Sequence, residues 1–350
     1  MSRPLFIALL GVAHYHAYFW TNAFLEAEGV EIAGVYDPDP AVALEFAETR
    51  GLEVQSDPDA LAARADAVAI CGTNADHAAM VAIAARHGRP VLCEKPLAAN
   101  WDDVLAIRDT VARSAIRFMQ SFPKRFDPIN AELKAVLDSG RLGRLTLARV
   151  RHGHSHGLSE SFGKAWFTDP ARSGGGTLLD EGVHAADFLR FAFGEPETVS
   201  AITSNATLGL AIEDTAVATF GYPSGLLVEV ATGWCFAGAD NSIEIYGTGG
   251  SLLLSGVDLA SRESRDSGFL RVLTHKESEA GWVPSPTVPY FRTGVFHEHV
   301  AFAFVKALRE ERPMPVTLDD GLRAFAMIDA AYRAARTGER QTIRYDGPPA

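Results

Sequence analysis

Hydrophobic positions in the first 120 residues follow two rhythms. The short apolar runs "FIALLG", "VEIAGVYD", "ADAVAICG", "RPVLCEKP" and "IRFMQSFP" read as buried strands. Between them, "HAYFWTNAFLEA", "PAVALEFAETRG", "DHAAMVAIAARHG" and "WDDVLAIRDTVARS" place apolar residues at helical spacing. Strands separated by helices of about 10–15 residues predict βαβ units and a parallel sheet. After Arg125 the rhythm changes. A helix, "PINAELKAVLDSG", precedes the strand "RLTLARVRHGH", and a glycine run opens the helix "SGGGTLLDEGVHAADFLRFAFG". Five consecutive strand patterns then follow from "ETVSAITSNA" to "SLLLSG", with "YPSG" and "GTGG" turns that predict an antiparallel sheet. The stretch from about Val257 to Thr293 is polar and reads as a long loop. Helices around His297–Glu310 and Asp319–Thr337 close the chain. The expected class is α/β: a doubly wound parallel sheet over residues 1–123, then an α+β domain over 124–350 with a large, mostly antiparallel sheet.

The first strand runs into "GVAHYH". A dinucleotide fingerprint has G-x-G-x-x-G, with one glycine for the turn, one for pyrophosphate approach and one for helix packing. Here Gly11 keeps the turn, Ala13 adds one methyl at the phosphates, and His16 takes the packing position. A crevice-facing His14 would donate to a pyrophosphate, the more strongly when protonated. Asp37 ends the second strand, 26 residues after Gly11, where a carboxylate accepts from ribose hydroxyls. "YDPDP" holds no Lys or Arg for a 2′-phosphate, which favours NAD over NADP. The other reading is a doubly wound sheet with an unrelated ligand.

Lys95, in "CEKPLA", ends a parallel strand and points into a crevice, or else it is a surface lysine. Asp180 and His184 are four residues apart, one helix face for both, which is a general acid–base arrangement or a local Asp–His pair. Gly174, Gly175 and Gly176 admit a ligand close to the backbone, or form a flexible connection. His152, His154 and His156 alternate, so on a strand they share one face. They could ligate a transition metal, recognise sugar hydroxyls with Trp166 supplying an apolar face, or be structural. His297 and His299 read as helix-start residues.

Composition removes whole classes of partner. The net charge of −12 argues against nucleic acid and anionic membranes. The sequence has no run of about 18 consecutive apolar residues, so no segment is expected to span a bilayer. "MSRPLFIALLG" fits a strand better than a signal peptide, and three cysteines without paired spacing fit a cytoplasmic chain with free thiols.

Several pieces, in order, resemble the Gfo/Idh/MocA family of glucose–fructose oxidoreductases, inositol dehydrogenases and rhizopine-catabolism proteins. They are Gly11 after the first strand, Asp37, "TNADH", "EKP", "KRFDP", "SGRLG", "SGGGTLLDEGVHAADF" and the closing "TLDDGLRAFAMIDAAYRAARTG". The likeness spans nearly the whole chain. It implies a Rossmann domain, a second domain whose sheet makes a homodimer or homotetramer, and NAD(P)-dependent chemistry on sugars, cyclitols and related polyols. Carried over by motif, Lys95, Asp180 and His184 are the catalytic trio and need no metal. His184 takes the hydroxyl proton, Lys95 stabilises the developing alkoxide, and Asp180 holds His184. Thr73, Asn74, His77 and Glu94 line the cofactor cleft with Gly11, Ala13, His14, Asp37 and Lys95, while His154, His156 and Trp166 meet the substrate. The chain departs from the family pattern in the glycine-poor loop and at Thr73, where the family has Pro. Two rivals to a plain dehydrogenase are an NAD-retaining, glycoside-cleaving enzyme and a non-catalytic sugar sensor.

Overall fold

The computed structural model describes residues 3–236, 241–254, 270–274, 281–287 and 294–348. They divide into two compact units.

The first unit is built on strands β1 (Leu5–Leu10), β2 (Val30–Tyr36), β3 (Ala67–Ile70), β4 (Val91–Cys93) and β5 (Phe118–Gln120). They pair in parallel in the order β2-β1-β3-β4-β5. Strand β3 is buried at every position, as a parallel sheet covered on both faces requires. The connections are α1 (His16–Glu26), α2 (Pro40–Arg50), α3 (Pro58–Arg64), α4 (His77–Arg86) and α5 (Trp101–Ser114). Asp39, Asp57 and Asn100 each accept first-turn amides of α2, α3 and α5, and Pro40 and Pro58 begin their helices. The hydrophobic pattern alone missed α3, although Asp57-Pro58 is a helix-start signal. The strand order reverses between β1 and β3, so the loops after them meet at a topological switch point. There Gly11, at φ +79°, has no room for a side chain: a Cβ would stand 2.7 Å from Gly72 Cα.

The second unit carries α6 (Pro128–Asp138), β6 (Leu145–Gly153), α8 (Thr177–Asp180), α9 (Gly182–Phe193), β7 (Thr198–Ser204), β8 (Thr215–Gly221), β9 (Leu227–Gly233), β10 (Ile243–Gly247), β11 (Gly250–Leu254), β12 (Leu270–Thr274), β13 (Val283–Pro284) and β14 (Gln341–Thr342); the short α7 (Pro170–Ser173) precedes α8. The sheet order is β13-β12-β11-β10-β6-β9-β8-β7-β14, antiparallel except for the β6–β9 pair. Alternation along β6 buries Ala148, Val150 and His152, the face on which α9 packs. Leu147, Val217, Leu227 and Ile202 lie on the opposite face.

Two expectations about organisation are corrected. A single cut after Pro123 is too simple, because the first unit also takes in Ala171–Gly174 and Gly294–Leu322, including α10 (Val295–Arg309) and the start of α11 (Leu318–Thr337). The long loop expected from Val257 to Thr293 contains strands β12 and β13; its other residues, apart from a few beside β13, lie outside the described ones.

Candidate active site

In the first unit, Asp37 closes the loop after β1. Its Oδ2 accepts the Val12 amide at 2.8 Å and its Oδ1 accepts the Asp39 amide at 3.0 Å. Burial raises its carboxyl above the usual range. Sequence reasoning assigned Asp37 to a ribose and missed this structural half of its work.

Helix α1 begins at His16 itself. His14 Nδ1 accepts the His16 amide at 3.1 Å, so the His14 ring caps the helix. The two rings lie 4.1 Å apart, and both residues are buried. His16 Nδ1 stands 3.2 Å from Glu94 Oε1, and His297, in the first turn of α10, packs on the His16 ring at 3.7 Å. The expectation that His16 merely fills a glycine's place is therefore corrected: it has specific polar and aromatic neighbours. Burial, and then the His16 charge, hold His14 well below the ordinary histidine range.

Glu94, Lys95 and Pro96 follow β4 directly. Lys95 is 2% exposed, so it is not a surface lysine. Two side chains hold the turn. His77 Nδ1 donates to the Pro96 and Leu97 carbonyls at 3.1 and 3.3 Å, and Gln120 Nε2 donates to the Cys93 and Glu94 carbonyls at 3.1 and 2.9 Å. His77 is fully buried, and burial lowers its pKa, so it buttresses the turn as a neutral ring. Thr73 makes a capping box with Asp76, accepting and donating through groups that proline lacks. Asn74 Nδ2 donates to the Ser173 carbonyl at 2.7 Å.

In the second unit, Asp180 and His184 do not share one continuous helix. Asp180 ends α8, His184 sits in the first turn of α9, and Glu181 occupies the junction. Trp234 Nε1 donates to Asp180 Oδ2 at 2.9 Å. Glu181 is the residue sequence reasoning passed over. Its two oxygens stand 3.0 Å from His152 Nε2 and 3.4 Å from His154 Nε2. His154 Nδ1 accepts the His156 amide at 3.1 Å, which leaves the proton on Nε2, facing the carboxylate. Burial alone would raise Glu181's carboxyl, but the His154 charge and the hydrogen bonds from both rings hold it well below the usual range. The His152 ring packs edge-on to His184 at 5.0 Å. A signal for Glu181 did exist, the acidic pair Asp180-Glu181 beside a histidine-rich strand end.

The three alternating histidines do not share a strand face. The strand β6 stops at Gly153, and His156 opens an exposed 3₁₀ turn. Trp166 is buried and stacks on Phe167 at 4.1 Å. Protein atoms crowd the three glycines. A Cβ at Gly174, Gly175 or Gly176 would meet Ala99 O, Tyr332 Oη or Glu213 O at 2.2, 2.3 and 2.0 Å. Asp187, the last residue of the motif, is fully buried and takes a bidentate grip from Arg125, with contacts of 2.6–3.1 Å.

Comparison with known proteins matches both halves. Residues 5–122 fit a profile described as the oxidoreductase family, NAD-binding Rossmann fold, and residues 130–253 fit the GFO/IDH/MocA C-terminal domain. An inositol 2-dehydrogenase of Saccharopolyspora erythraea is 29% identical, covering 92% of this chain and 90% of its own. A 1,5-anhydro-D-fructose reductase of Ensifer adhaerens is 26% identical over 93% and 94% of the two chains. A solved oxidoreductase from Agrobacterium radiobacter, in complex with NAD+, L-tartaric acid and magnesium, superposes with a TM-score of 0.81 at 25% identity over 97% of this chain and 98% of that one. With an NAD-binding Rossmann unit at one end and the family's own C-terminal domain at the other, the chain belongs to the Gfo/Idh/MocA oxidoreductases.

Proposed function

We propose that this protein transfers a hydride between NAD and a secondary alcohol of a sugar, cyclitol or related polyol. The observation that carries the reading is the buried cluster around His184: Asp180 tied to Trp234, and Glu181 tied to His152 and His154. Imidazoles and carboxylates so arranged suit proton transfer and hydroxyl recognition.

The loop residues fit a dinucleotide. Gly11 makes the tight turn, and each Asp37 oxygen receives one backbone amide and keeps a lone pair for a ribose hydroxyl. NAD, when bound, supplies the hydride acceptor. His184 takes the hydroxyl proton, Asp180 orients the imidazole, and Lys95 stabilises the developing alkoxide. Asp37, with no basic neighbour in "YDPDP", makes NAD the preferred form. His154, His156 and Trp166 contribute to substrate recognition, and Ala13, Thr73, Asn74 and Glu94 to the cofactor side.

The test is a panel of inositols, aldoses and anhydro-sugars with NAD and NADP, read by absorbance of the reduced cofactor. Turnover of at least one polyol with NAD is expected, and Asp37→Ser with Pro38→Arg should move preference toward NADP. No turnover of any panel member with either cofactor would overturn the reading. The apolar residues Ile202, Leu227, Val217 and Leu147, 77, 50, 42 and 38% exposed on one sheet face, support a homo-oligomer formed there. Val217→Lys should then reduce the mass measured by light scattering. No described helix is long and apolar enough to cross a membrane.

A further inference from the structure

We infer that His14, His16 and Glu94 form a binding site for a divalent transition-metal ion within the nucleotide-binding unit. One ligand atom from each lies within 4.8 Å of the other two. The three residues are 1, 3 and 0% exposed. Two imidazoles and a carboxylate are a donor set for zinc and its neighbours. The 3.2 Å between His16 Nδ1 and Glu94 Oε1 matches the edge of a tetrahedron with metal–ligand bonds of about 2.0–2.1 Å, which is roughly 3.3 Å.

Glu94 supplies the independent observation. Among the described residues neither of its oxygens accepts a hydrogen bond of normal geometry, although the side chain is fully buried. A carboxylate taken out of water without hydrogen bonds is costly unless a cation compensates it. His16 Nδ1 is close but not aligned as a donor. His297 packs on the His16 ring and fixes its plane, as an outer-shell residue does at metal sites.

Three protein ligands leave a fourth position open. Two neutral imidazoles and one carboxylate leave a net positive charge on a divalent ion. The positive end of α1 and the adjoining Lys95 add to it, so the fourth ligand is an anion or hydroxide. The ion also has a local cost. A neutral imidazole has one lone pair, so whichever His14 nitrogen binds the metal, Nδ1 can no longer accept the His16 amide. Metal loading must therefore disturb that hydrogen bond.

The histidine run that first suggests a metal in the sequence is a different place. There Glu181 already receives His152 and His154. The inference requires no particular reaction, so it can be tested apart from the proposed activity.

The full-length protein is stripped with a chelator, exchanged into cofactor-free buffer, and titrated with Zn²⁺ by calorimetry and with Co²⁺ by visible absorption. One ion per chain is expected, together with a shifted His16 amide resonance. Glu94→Gln and His16→Ala should each weaken Zn²⁺ binding by at least about 100-fold, the upper end of what loss of a mere outer-shell partner costs. Glu181→Gln should bind Zn²⁺ as the wild type does. Circular dichroism identifies a variant that fails to fold, and the near-isosteric Glu94→Gln guards against that outcome. No stoichiometric Zn²⁺ in the wild type, wild-type affinity in folded Glu94→Gln, or loss of the ion in Glu181→Gln alone would overturn the inference.

Discussion

Each unit buries a cluster of histidines around a glutamate, and the two clusters are solved differently. In the second unit Glu181 is matched oxygen for nitrogen by His152 and His154, and the neutral side of His154 is spent on a backbone amide. In the first unit Glu94 is at least as buried, yet the imidazoles nearby pack tilted against one another, at 4.1 Å between His14 and His16 and 3.7 Å between His16 and His297. The same residue types thus yield one closed hydrogen-bonded network and one carboxylate that needs a cation. Burial does not distinguish them; the match of donors to acceptors does.

The largest expected effect tests whether chemistry belongs to the second cluster. His184→Ala should lower turnover by roughly 10²–10⁴-fold while NAD affinity, measured by calorimetry, stays near wild type. Lys95→Ala should lose turnover on the same scale. A His184→Ala enzyme with normal turnover would remove the assignment of roles.

A smaller effect separates the two carboxylates directly. Glu181→Ala strands two buried imidazoles and should cost about 1–3 kcal/mol in urea unfolding. Glu94→Gln in metal-free protein removes a buried carboxyl group whose oxygens accept no hydrogen bond among the described residues, so it should be neutral or stabilising. If both substitutions destabilise equally, the contrast between the clusters is wrong.

The smallest effect is in the pH dependence. Glu181 has a folded pKa below its unfolded one, so its contribution is complete above about pH 4.3 and is lost as pH falls further. His77, by contrast, is held neutral by burial. Its unfolded form binds a proton below about pH 6.5 while the folded form does not, so stability falls as pH drops through that range. Urea unfolding between pH 8 and 5.5 should show that slope in the wild type and a shallower one in His77→Asn, whose amide can still donate to the Pro96 and Leu97 carbonyls. Equal slopes in the two proteins would remove His77 as its source.

The parallel sheet, its helices and the antiparallel sheet were legible in the sequence, because which side of an element is buried is written into the local spacing of apolar residues. Helix limits were legible where Asn100, or Asp39 followed by Pro40, punctuated them. Helix α3 escaped because its seven residues are too few for periodicity, and β12 because it is a short strand within a polar stretch. Lys95, Asp180 and His184 could be singled out because their motifs are compact. Tertiary structure alone decided who meets whom. Glu181 reaches two histidines nearly thirty residues upstream, Glu94 reaches His16 from far along the chain, and Gly176 leaves room for Glu213. A local pattern can say that a polar side chain will be buried. It cannot say which partner will satisfy it, because that depends on chain segments brought together only when the sheets close.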